Sequence, residues 1–306
     1  MTECERIIKG GIINEDFLIP ETICDFYVDE KRKKTWTISL DLLLHFDRIC
    51  RLHGLRYSLA FGSLLGAIRH NGFIPWDDDI DVMMPREDYE KLRKYKSEFQ
   101  EPYFLQYPGE DKGYFMSWAK LRNSNTTSIS RSFRYEEFNQ GIFLDIFPLD
   151  NYNPKQLEEN YAKIITLIAE CSALMRRSNP TPDEVDIQKM SKFPIARDGI
   201  IVAKELDSIL RQNDHLTSDK YIAWCCVIYD HKKMTFNKNI FDELKEINFY
   251  GYPIFITKYY DEVLRTTYGN YKELPPISER GSRHSQNIFN PDIPYKEVLR
   301  HLRQEF

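Results

Sequence analysis

Glycine is scarce in this chain, and cysteine and proline are not enriched, which excludes several classes of protein. Six cysteines, 13 glycines and 15 prolines occur among 306 residues. The cysteines follow no disulfide-framework spacing, so we expect reduced thiols, and only Cys225-Cys226 would suit a metal if further ligands joined them. The low glycine content and the ordinary proline content, together with 42% hydrophobic residues, argue against fibrous and disordered classes and predict a globular protein.

Long apolar runs and a signal peptide are also missing. No segment approaches the roughly 18–20 consecutive apolar residues of a membrane-spanning helix. The first residues, Met-Thr-Glu-Cys-Glu-Arg, lack the basic-then-apolar order of a signal peptide. We therefore expect a cytoplasmic protein. A basic cluster at 31–34 leaves room for at most a weak, peripheral attraction to an anionic membrane surface.

An excess of positive charge is absent as well. The net charge is −5, whereas a general nucleic-acid binder needs a basic face that neutralises phosphates. We therefore expect no nucleic-acid partner.

Apolar periodicity predicts alternating helices and strands. Predicted helices cover 37–54, 64–70, 87–99, 155–177, 197–212 and 258–268, and predicted strands cover 57–61, 79–84, 103–106, 114–121, 141–147, 221–229 and 254–257. This pattern predicts an α+β fold in which a mixed β-sheet core is flanked by helices. The simplest division is an irregular N-terminal extension at 1–35, a catalytic core at 36–150 and a mostly helical region at 151–306 that packs on the core.

The first candidate binding element is the pair Gly62-Ser63, between a predicted strand and a short predicted helix. Such a junction directs backbone N–H groups and a helix N-terminus at one point, which favours an anion such as phosphate. Gly62 permits close backbone approach, and Ser63 can cap the helix or donate a hydrogen bond. On its own, a Gly-Ser pair before a helix is more typical of an ordinary turn.

Asp79 and Asp81 alternate with Ile80 and Val82 along the next predicted strand. Because side chains alternate faces on a strand, the two carboxylates share one face while the two apolar residues enter the core. Neighbouring carboxylates repel each other unless a cation lies between them or one is protonated. Oxygen ligands favour Mg²⁺ or Mn²⁺. We therefore predict a metal site here, with a solvated acidic turn as the alternative.

A third carboxylate lies inside the later apolar strand Ile-Phe-Leu-Asp-Ile-Phe at 142–147. A lone aspartate in such a strand is costly unless it has a partner. Placed beside Asp79 and Asp81, Asp145 would complete a three-carboxylate site, either as a metal ligand or as the acceptor of a proton from an attacking hydroxyl. For Asp150, which follows Pro-Leu, we expect a turn or helix-cap role.

Two long motifs resemble the LicD family. Residues 61–84, Phe-Gly-Ser-Leu-Leu-Gly-Ala-Ile-Arg-His-Asn-Gly-Phe-Ile-Pro-Trp-Asp-Asp-Asp-Ile-Asp-Val-Met-Met, carry the strongest resemblance. The string Gly-Ile-Phe-Leu-Asp-Ile-Phe-Pro-Leu-Asp at 141–150 is the second, and a tail with Tyr268-Gly269, Leu-Pro-Pro and His284 is also similar. Gly-Ser, a carboxylate pair and a later carboxylate are typical of the nucleotidyltransferase superfamily, and the 15 residues between Ser63 and Asp79 are characteristic of this branch.

The resemblance implies a nucleotidyltransferase-like core and a phosphotransferase activity. Members of the LicD family transfer a phosphorylated alcohol, typically phosphocholine from CDP-choline, onto a sugar hydroxyl of a glycan such as teichoic acid or lipopolysaccharide. Relatives such as fukutin-related protein use CDP-ribitol. If the roles of the family's motif residues apply to this chain, Asp79 and Asp81 hold the metal and Asp145 is the third acid. Gly62 and Ser63 then contact the pyrophosphate of a CDP-alcohol. The glycan acceptor is then a lipid-linked precursor at the inner membrane face.

Basic side chains supply secondary candidates for substrate binding. Arg69 follows Ser63 on the short predicted helix, Lys120 and Arg122 stand at the end of the predicted strand 114–121, and His284 lies in the C-terminal loop. Lys120 and Arg122 would bind phosphate, and Lys120 and Arg69 are the favoured candidates for substrate binding. A surface or structural role competes for each of these residues.

The sequence leaves three other functions open, two of them enzymatic. A nucleotidyltransferase acting on a small substrate would use the same carboxylates but release pyrophosphate. A glycosyltransferase would use Asp79-Ile80-Asp81 as its metal-binding Asp-x-Asp, although Gly62-Ser63 and Asp145 argue against it. A scaffold without catalysis would not need three acids.

Overall fold

The computed structural model describes residues 1–176, 184–192, 197–224, 230–281 and 288–304. His284, Cys225 and Cys226, three residues singled out in the sequence, lie outside these ranges. So does most of the strand predicted at 221–229.

The first 35 residues contain regular structure that packs on the rest of the protein. The elements here are helix α1 (Glu3–Lys9), strands β1 (Glu21–Ile23) and β2 (Phe26–Val28), which form a hairpin, and helix α2 (Glu30–His53). Cys4, Ile7 and Val28 are buried in the main core of the molecule. The expectation of an irregular extension at 1–35 is therefore corrected, while the division of the chain into three parts stays a prediction.

The remaining strands follow the sequence predictions closely around the acidic motifs. They are β3 (Ser58–Leu59), β4 (Ile80–Pro85), β5 (Tyr103–Gln106), β6 (Ala119–Asn123), β7 (Thr127–Ile129), β8 (Ile142–Asn151), β9 (Lys220–Ile222), β10 (Thr235–Asn237), β11 (Leu244–Phe249), β12 (Tyr252–Thr257) and β13 (Ile288–Asn290).

The later helices lie mainly in the second half of the chain. They are α3 (Phe61–His70), α4 (Arg86–Lys94), α5 (Pro154–Leu174), α6 (Glu184–Ser191), α7 (Gly199–Leu210), α8 (Tyr260–Tyr268) and α9 (Tyr295–Gln304). The region after residue 150 thus contains several helices, as predicted, and also the short strands β9 to β13.

A mixed sheet organises the molecule and makes the fold α and β in character, as the sequence indicated. Its strands run in the order β10-β9-β8-β4-β3, and β6 joins β8, with β5 beyond β6. The long strand β8 is central because it pairs parallel with β4 and antiparallel with both β6 and β9. The sheet therefore brings β4, β6 and β8, which are distant in the sequence, into one row.

Two hydrophobic clusters support this arrangement. The larger one packs the sheet against α2, α3 and the N-terminal elements, and includes Trp36, Phe46 and Leu144, each fully buried. The smaller cluster joins α5 to α7, with Ile164 and Val202 fully buried between them. Within the described residues, every helix is too short or too polar to span a bilayer.

Candidate active site

The junction between β3 and α3 forms one wall of the site. α3 begins at Phe61, whose φ of 42° is unusual for a bulky side chain and stores backbone strain. Ala60 occupies the N-cap and supplies no side-chain hydrogen bond, so the first N–H groups of α3 depend on other partners. This junction has the geometry that favours a bound anion.

Gly62 and Ser63 tie this junction to the acidic segment. The Ser63 hydroxyl oxygen accepts a hydrogen bond of 2.8 Å from the backbone N–H of Asp81. A Cβ added to Gly62 would lie 2.6 Å from the carboxylate Oδ2 of Asp77, so only glycine allows this close approach. The structure thus gives Ser63 a role in holding β4, and the predicted contacts of both residues with pyrophosphate stay predictions.

Three carboxylates meet where β4 begins beside the centre of β8. Asp79, Asp81 and Asp145 each place one carboxylate oxygen within 4.8 Å of the other two. Ile80 and Val82 are fully buried on the opposite face of β4, as the alternation predicted. Such a concentration of negative charge suits a hard divalent cation, which prefers oxygen ligands. The structure therefore brings together the three acids that the sequence singled out.

A second acidic group shares one member with the first. Oxygens of Asp77, Asp78 and Asp79 also lie within 4.8 Å of one another. The backbone carbonyl of Asp77 accepts hydrogen bonds of 2.9 Å from the side chains of both Arg32 and Trp36 on α2. The sequence interpretation assigned no role to Asp77 or Asp78, although the unbroken acidic run was visible, and it missed the contribution of α2.

Asp145 is held by two donors from β6 and the residues before it. The Trp118 indole N–H donates to Asp145 Oδ1 over 2.8 Å, and the Lys120 ammonium donates to the same oxygen. Burial lowers the pKa of Lys120 from its ordinary value, and the carboxylate of Asp145 opposes this shift. Lys120 was predicted to bind substrate, and the structure places it within the site as the partner of Asp145. Trp118 also belongs to the site through its hydrogen bond to Asp145.

Arg69 lies at the opposite end of α3 from Gly62. Its guanidinium donates to the backbone carbonyls of Tyr271 and Glu273, at 3.3 and 3.2 Å. These hydrogen bonds fasten α3 to the segment that follows α8. The predicted phosphate contact of Arg69 receives no geometric support from these bonds, and the predicted role of His284 lies outside the described residues.

Asp150 differs from its expected turn or cap role. It lies in β8, is 1% exposed, and forms a two-point ion pair with Arg86 at the start of α4, with distances of 2.7 and 3.1 Å. The strand continues past Pro148 because a parallel neighbour, β4, pairs with β8 as far as Leu149. Asp150 is therefore a buried structural acid.

Comparisons with known proteins agree with these motifs. The family model described as LicD/FKTN/FKRP, nucleotidyltransferase domain, matches residues 54–165. The lipopolysaccharide cholinephosphotransferase LicD of Haemophilus influenzae is 28% identical over 270 residues, which are 82% of this chain and 95% of that protein. An uncharacterised protein of Rickettsia prowazekii is 31% identical over 154 residues, which are 48% of this chain and 54% of that protein.

A further match is shorter and more similar in sequence. The ribitol 5-phosphate transferase FKRP of mouse and of human is 57% identical over 35 residues, which are 11% of this chain and only 7% of FKRP. The resemblance drawn from the two motifs is therefore confirmed, and residues 54–165, with all three aspartates of the site, form a LicD-family domain.

Proposed function

We propose that this chain is a metal-dependent phosphotransferase of the LicD type. It moves a phosphorylated alcohol from a CDP-alcohol to a sugar hydroxyl of a cell-surface glycan precursor, such as a teichoic acid or lipopolysaccharide, and releases CMP. Phosphocholine is the favoured group because the Haemophilus relative, which the chain matches over nearly its whole length, is a cholinephosphotransferase. The observation that carries the proposal is the convergence of Asp79, Asp81 and Asp145.

The proposal assigns Mg²⁺ or Mn²⁺ to these three aspartates. The three residues fit such a cation, since they offer carboxylate oxygens within 4.8 Å of one another and hard divalent cations prefer oxygen ligands. When bound, such a cation neutralises phosphate charge during phosphoryl transfer. The mixed sheet is, in this proposal, a nucleotidyltransferase-like core.

The protein's own groups have separate tasks. The backbone at Gly62 and the N-terminus of α3 bind the donor pyrophosphate. Ser63 fixes the backbone of Asp81. Asp145, oriented by Trp118 and Lys120, accepts the proton of the acceptor hydroxyl. The hydroxyl oxygen forms a bond to the phosphorus distal to cytidine, and the bond from that phosphorus to the bridging oxygen breaks. CMP then leaves with the electron pair.

The cellular setting is part of the proposal. The enzyme works in the cytoplasm, where CDP-alcohols are made, and meets a lipid-linked glycan precursor at the inner membrane face through peripheral contact only. No nucleic acid is involved, in agreement with the net charge of −5.

Phosphorus NMR tests the reaction. The purified protein with Mg²⁺ receives CDP-choline, CDP-ethanolamine, CDP-ribitol and CDP-glycerol in separate tubes, each with and without a lipid-linked glycan fraction. We expect CMP from one donor, and its identity names the alcohol. Asp81→Asn is the matched control, since it changes one carboxylate and should form no CMP. No CMP from any donor in the presence of glycan would contradict the proposal.

One alternative keeps a specific observation in its favour. The family model is described as a nucleotidyltransferase domain, and an enzyme of that kind would transfer a nucleoside monophosphate to a small phosphorylated or hydroxyl substrate. Nucleoside triphosphates in the same assay would then yield pyrophosphate. Release of pyrophosphate from a nucleoside triphosphate, without release of CMP from any CDP-alcohol, would favour this alternative.

A further inference from the structure

A cavity of about 190 Å³ lies on the β6 side of Asp145. Its lining includes Trp118, Lys120, Arg122, Ser128, Phe143 and Asp145. Lys120 is the register partner of Asp145, and Arg122 is the register partner of Phe143 one step along the same face. Successive residues on one face of a strand are about 6–7 Å apart. The cavity therefore adjoins the three aspartates at Asp145 and extends away from Asp79 and Asp81 towards Arg122.

Arg122 has an unusual environment for a buried arginine. It is only 4% exposed, and its Nε and Nη1 donate to two neutral oxygens, Gln106 Oε1 at 2.6 Å and the carbonyl of Gly141 at 2.9 Å. Among the residues that the structure describes, no carboxylate lies within 4.0 Å of its guanidinium, and Nη2 makes no hydrogen bond. Arg86, equally buried, has Asp150 as a two-point partner. Burial lowers the pKa of Arg122, and the carboxylates of Asp145 and Asp111 oppose this shift from beyond ion-pair distance. A buried charge without an opposite charge in contact is costly, so an anion beside Nη2 would stabilise Arg122.

Ser128 gives independent support. Its hydroxyl is buried and, within the described part of the chain, has no hydrogen-bond partner. A buried hydroxyl without a partner is unfavourable, and a serine O–H can donate to an oxyanion. Ser128 lies on β7 and Arg122 on β6, so two separate strands direct unused donors into one cavity.

The charge of the cavity selects among ligands. Lys120 and Arg122 face it with two positive charges, against the single carboxylate of Asp145 among the described lining residues. Aromatic walls such as Trp118 and Phe143 are typical of quaternary-ammonium sites. The Lys120 ammonium already lies 3.4 Å from the centre of the Phe143 ring, so a second cation would be repelled there. The cavity therefore does not suit a choline group.

We propose that this cavity is a subsite for an oxyanion, either a phosphate or a carboxylate group carried by a substrate, and that Arg122 and Ser128 recognise it. The oxyanion is additional to the donor pyrophosphate at the aspartates. Its assignment to the acceptor or to the nucleotide rests on the proposed function, whereas the existence of the subsite does not.

Calorimetric titration with inorganic phosphate tests the subsite. EDTA is present throughout, so that binding through a metal is excluded. We expect saturable binding by the wild type, at least tenfold weaker binding by Arg122→Gln, and intermediate binding by Arg122→Lys, because a hydrogen bond to a charged group contributes about 1.5–3 kcal/mol and 1.4 kcal/mol is a tenfold change. Arg265→Gln on α8, an exposed arginine paired with Asp261, is the control and should bind like the wild type.

Three results would overturn the proposal. These are the absence of phosphate binding by the wild type, undiminished binding by folded Arg122→Gln, and undiminished binding by Ser128→Ala. The last variant decides the question if Arg122→Gln fails to fold because its bonds to Gly141 and Gln106 are lost. No CDP-alcohol or metal takes part, so failure here is separate from failure of the proposed transfer.

Competition then identifies the source of the oxyanion. Glucose 6-phosphate and CMP are titrated against the phosphate-saturated wild type, again in EDTA. Displacement by the sugar phosphate alone assigns the subsite to the acceptor, and displacement by CMP alone assigns it to the donor. Displacement by neither overturns the assignment to a substrate group.

Discussion

Asp81 and Asp145 are direct partners in the parallel pairing of β4 with β8. On the other side of β8, Lys120 is the antiparallel partner of Asp145. Two carboxylates and one ammonium therefore form a row across three neighbouring strands. Because side chains alternate along a strand, a register shift of one residue would turn Asp145 to the opposite face and remove it from the row. The site consequently depends on the register of the sheet as much as on the residues themselves.

Neutralising one carboxylate of this row should abolish activity and leave the fold intact. For Asp79→Asn and Asp81→Asn we expect CMP release to fall roughly 100-fold or more, because a metal ligand is lost. Melting temperature without metal should stay equal or rise, since carboxylate repulsion is relieved, and its increase with Mg²⁺ should disappear. Asp145→Asn should be severely impaired as well.

Enzyme assay and thermal melting with and without Mg²⁺ measure these effects. Asp242→Asn, an exposed aspartate before β11, is a matched control and should behave like the wild type. Near-normal activity of Asp79→Asn or Asp81→Asn would refute the metal assignment. Retained activity of Asp145→Asn alone would make that residue a structural acid.

The stability of a Lys120 variant with and without Mg²⁺ should show whether the metal lies beside Asp145. Lys120 and Asp145 form a buried ion pair, and removal of one member of such a pair costs about 3–5 kcal/mol. We expect Lys120→Met to lose stability of this order in EDTA and to recover part of it with Mg²⁺, because the bound cation takes over the neutralisation of Asp145. Urea unfolding in both conditions provides the measurement. A variant whose loss is the same with and without Mg²⁺ would place the metal away from Asp145.

The sequence predicted the acidic strand, the lone aspartate of β8 and the helix after Ser63 because each has a strong local signal. The start of α2 has none. Apolar periodicity begins at Thr37, whereas the helix begins at Glu30, and its first turns carry mostly charged residues that show no apolar stripe. The Asp29 side chain caps this helix by accepting from the N–H of Arg32 over 2.8 Å, a signal that the flanking charges obscured.

The N-terminal hairpin and the cavity were beyond sequence reasoning for different reasons. Cys24 and Asp25 turn the hairpin with φ values of 50° and 58°, without the glycine or asparagine that usually marks such a turn. The sequence indicated that Arg122 could bind phosphate, but its place beside Ser128 and Phe143 depends on the register of β6 against β8, and long-range strand pairing leaves no local trace. The grouping of the three acids was therefore predictable from their motifs, while the side chains that surround them were not.

Two glycines of α3 should give opposite phenotypes when changed to alanine. A Cβ at Gly66 would overlap the carbonyl oxygen of Gly72 and approach the backbone nitrogen of Ile74 to 3.0 Å, and backbone atoms cannot easily move. A Cβ at Gly62 would meet only the carboxylate of Asp77, which can rotate away. We expect Gly66→Ala to lose about 1–3 kcal/mol of stability, and Gly62→Ala to remain folded but lose activity.

Urea unfolding and CMP release distinguish the two variants. Each glycine variant is the control for the other, since both lie on the same helix. Full activity of folded Gly62→Ala would show that the close approach to Asp77 has no part in the reaction.

The pair formed by Arg86 and Asp150 should stabilise the fold without contributing to catalysis. We expect Arg86→Met to cost about 3–5 kcal/mol, since Asp150 would remain buried without its partner. The double variant Arg86→Met with Asp150→Leu should recover most of the loss, and turnover per folded molecule should be unchanged.

The stability lost in Arg86→Met should depend on pH. Burial raises the pKa of Asp150 to about 6 even with Arg86 opposing it, and loss of Arg86 should raise it further. A carboxyl whose folded pKa exceeds its unfolded pKa loses stability as pH rises, because the folded state must release a proton that it holds. Urea unfolding of Arg86→Met should therefore show a larger deficit at pH 8 than at pH 5. An equal deficit at both values would mean that Asp150 is not left as a buried carboxylate.

His45 should set part of the acid limit of stability. Its ring stacks on Tyr103 at 3.9 Å and meets the edge of Phe99, and its buried Nε2 has no hydrogen-bond partner in the described chain. Burial, with Arg48 and Arg6 adding to it, lowers the pKa of His45 to about 4. An unfolded histidine takes up its proton near pH 6.5, so the contribution of His45 to stability is complete above that pH and is lost as pH falls towards 4.

We expect the melting temperature of His45→Phe to decline less steeply than that of the wild type between pH 6.5 and pH 4, with exposed His215→Gln as the control. Parallel curves for His45→Phe and the wild type would show that another group sets the acid limit.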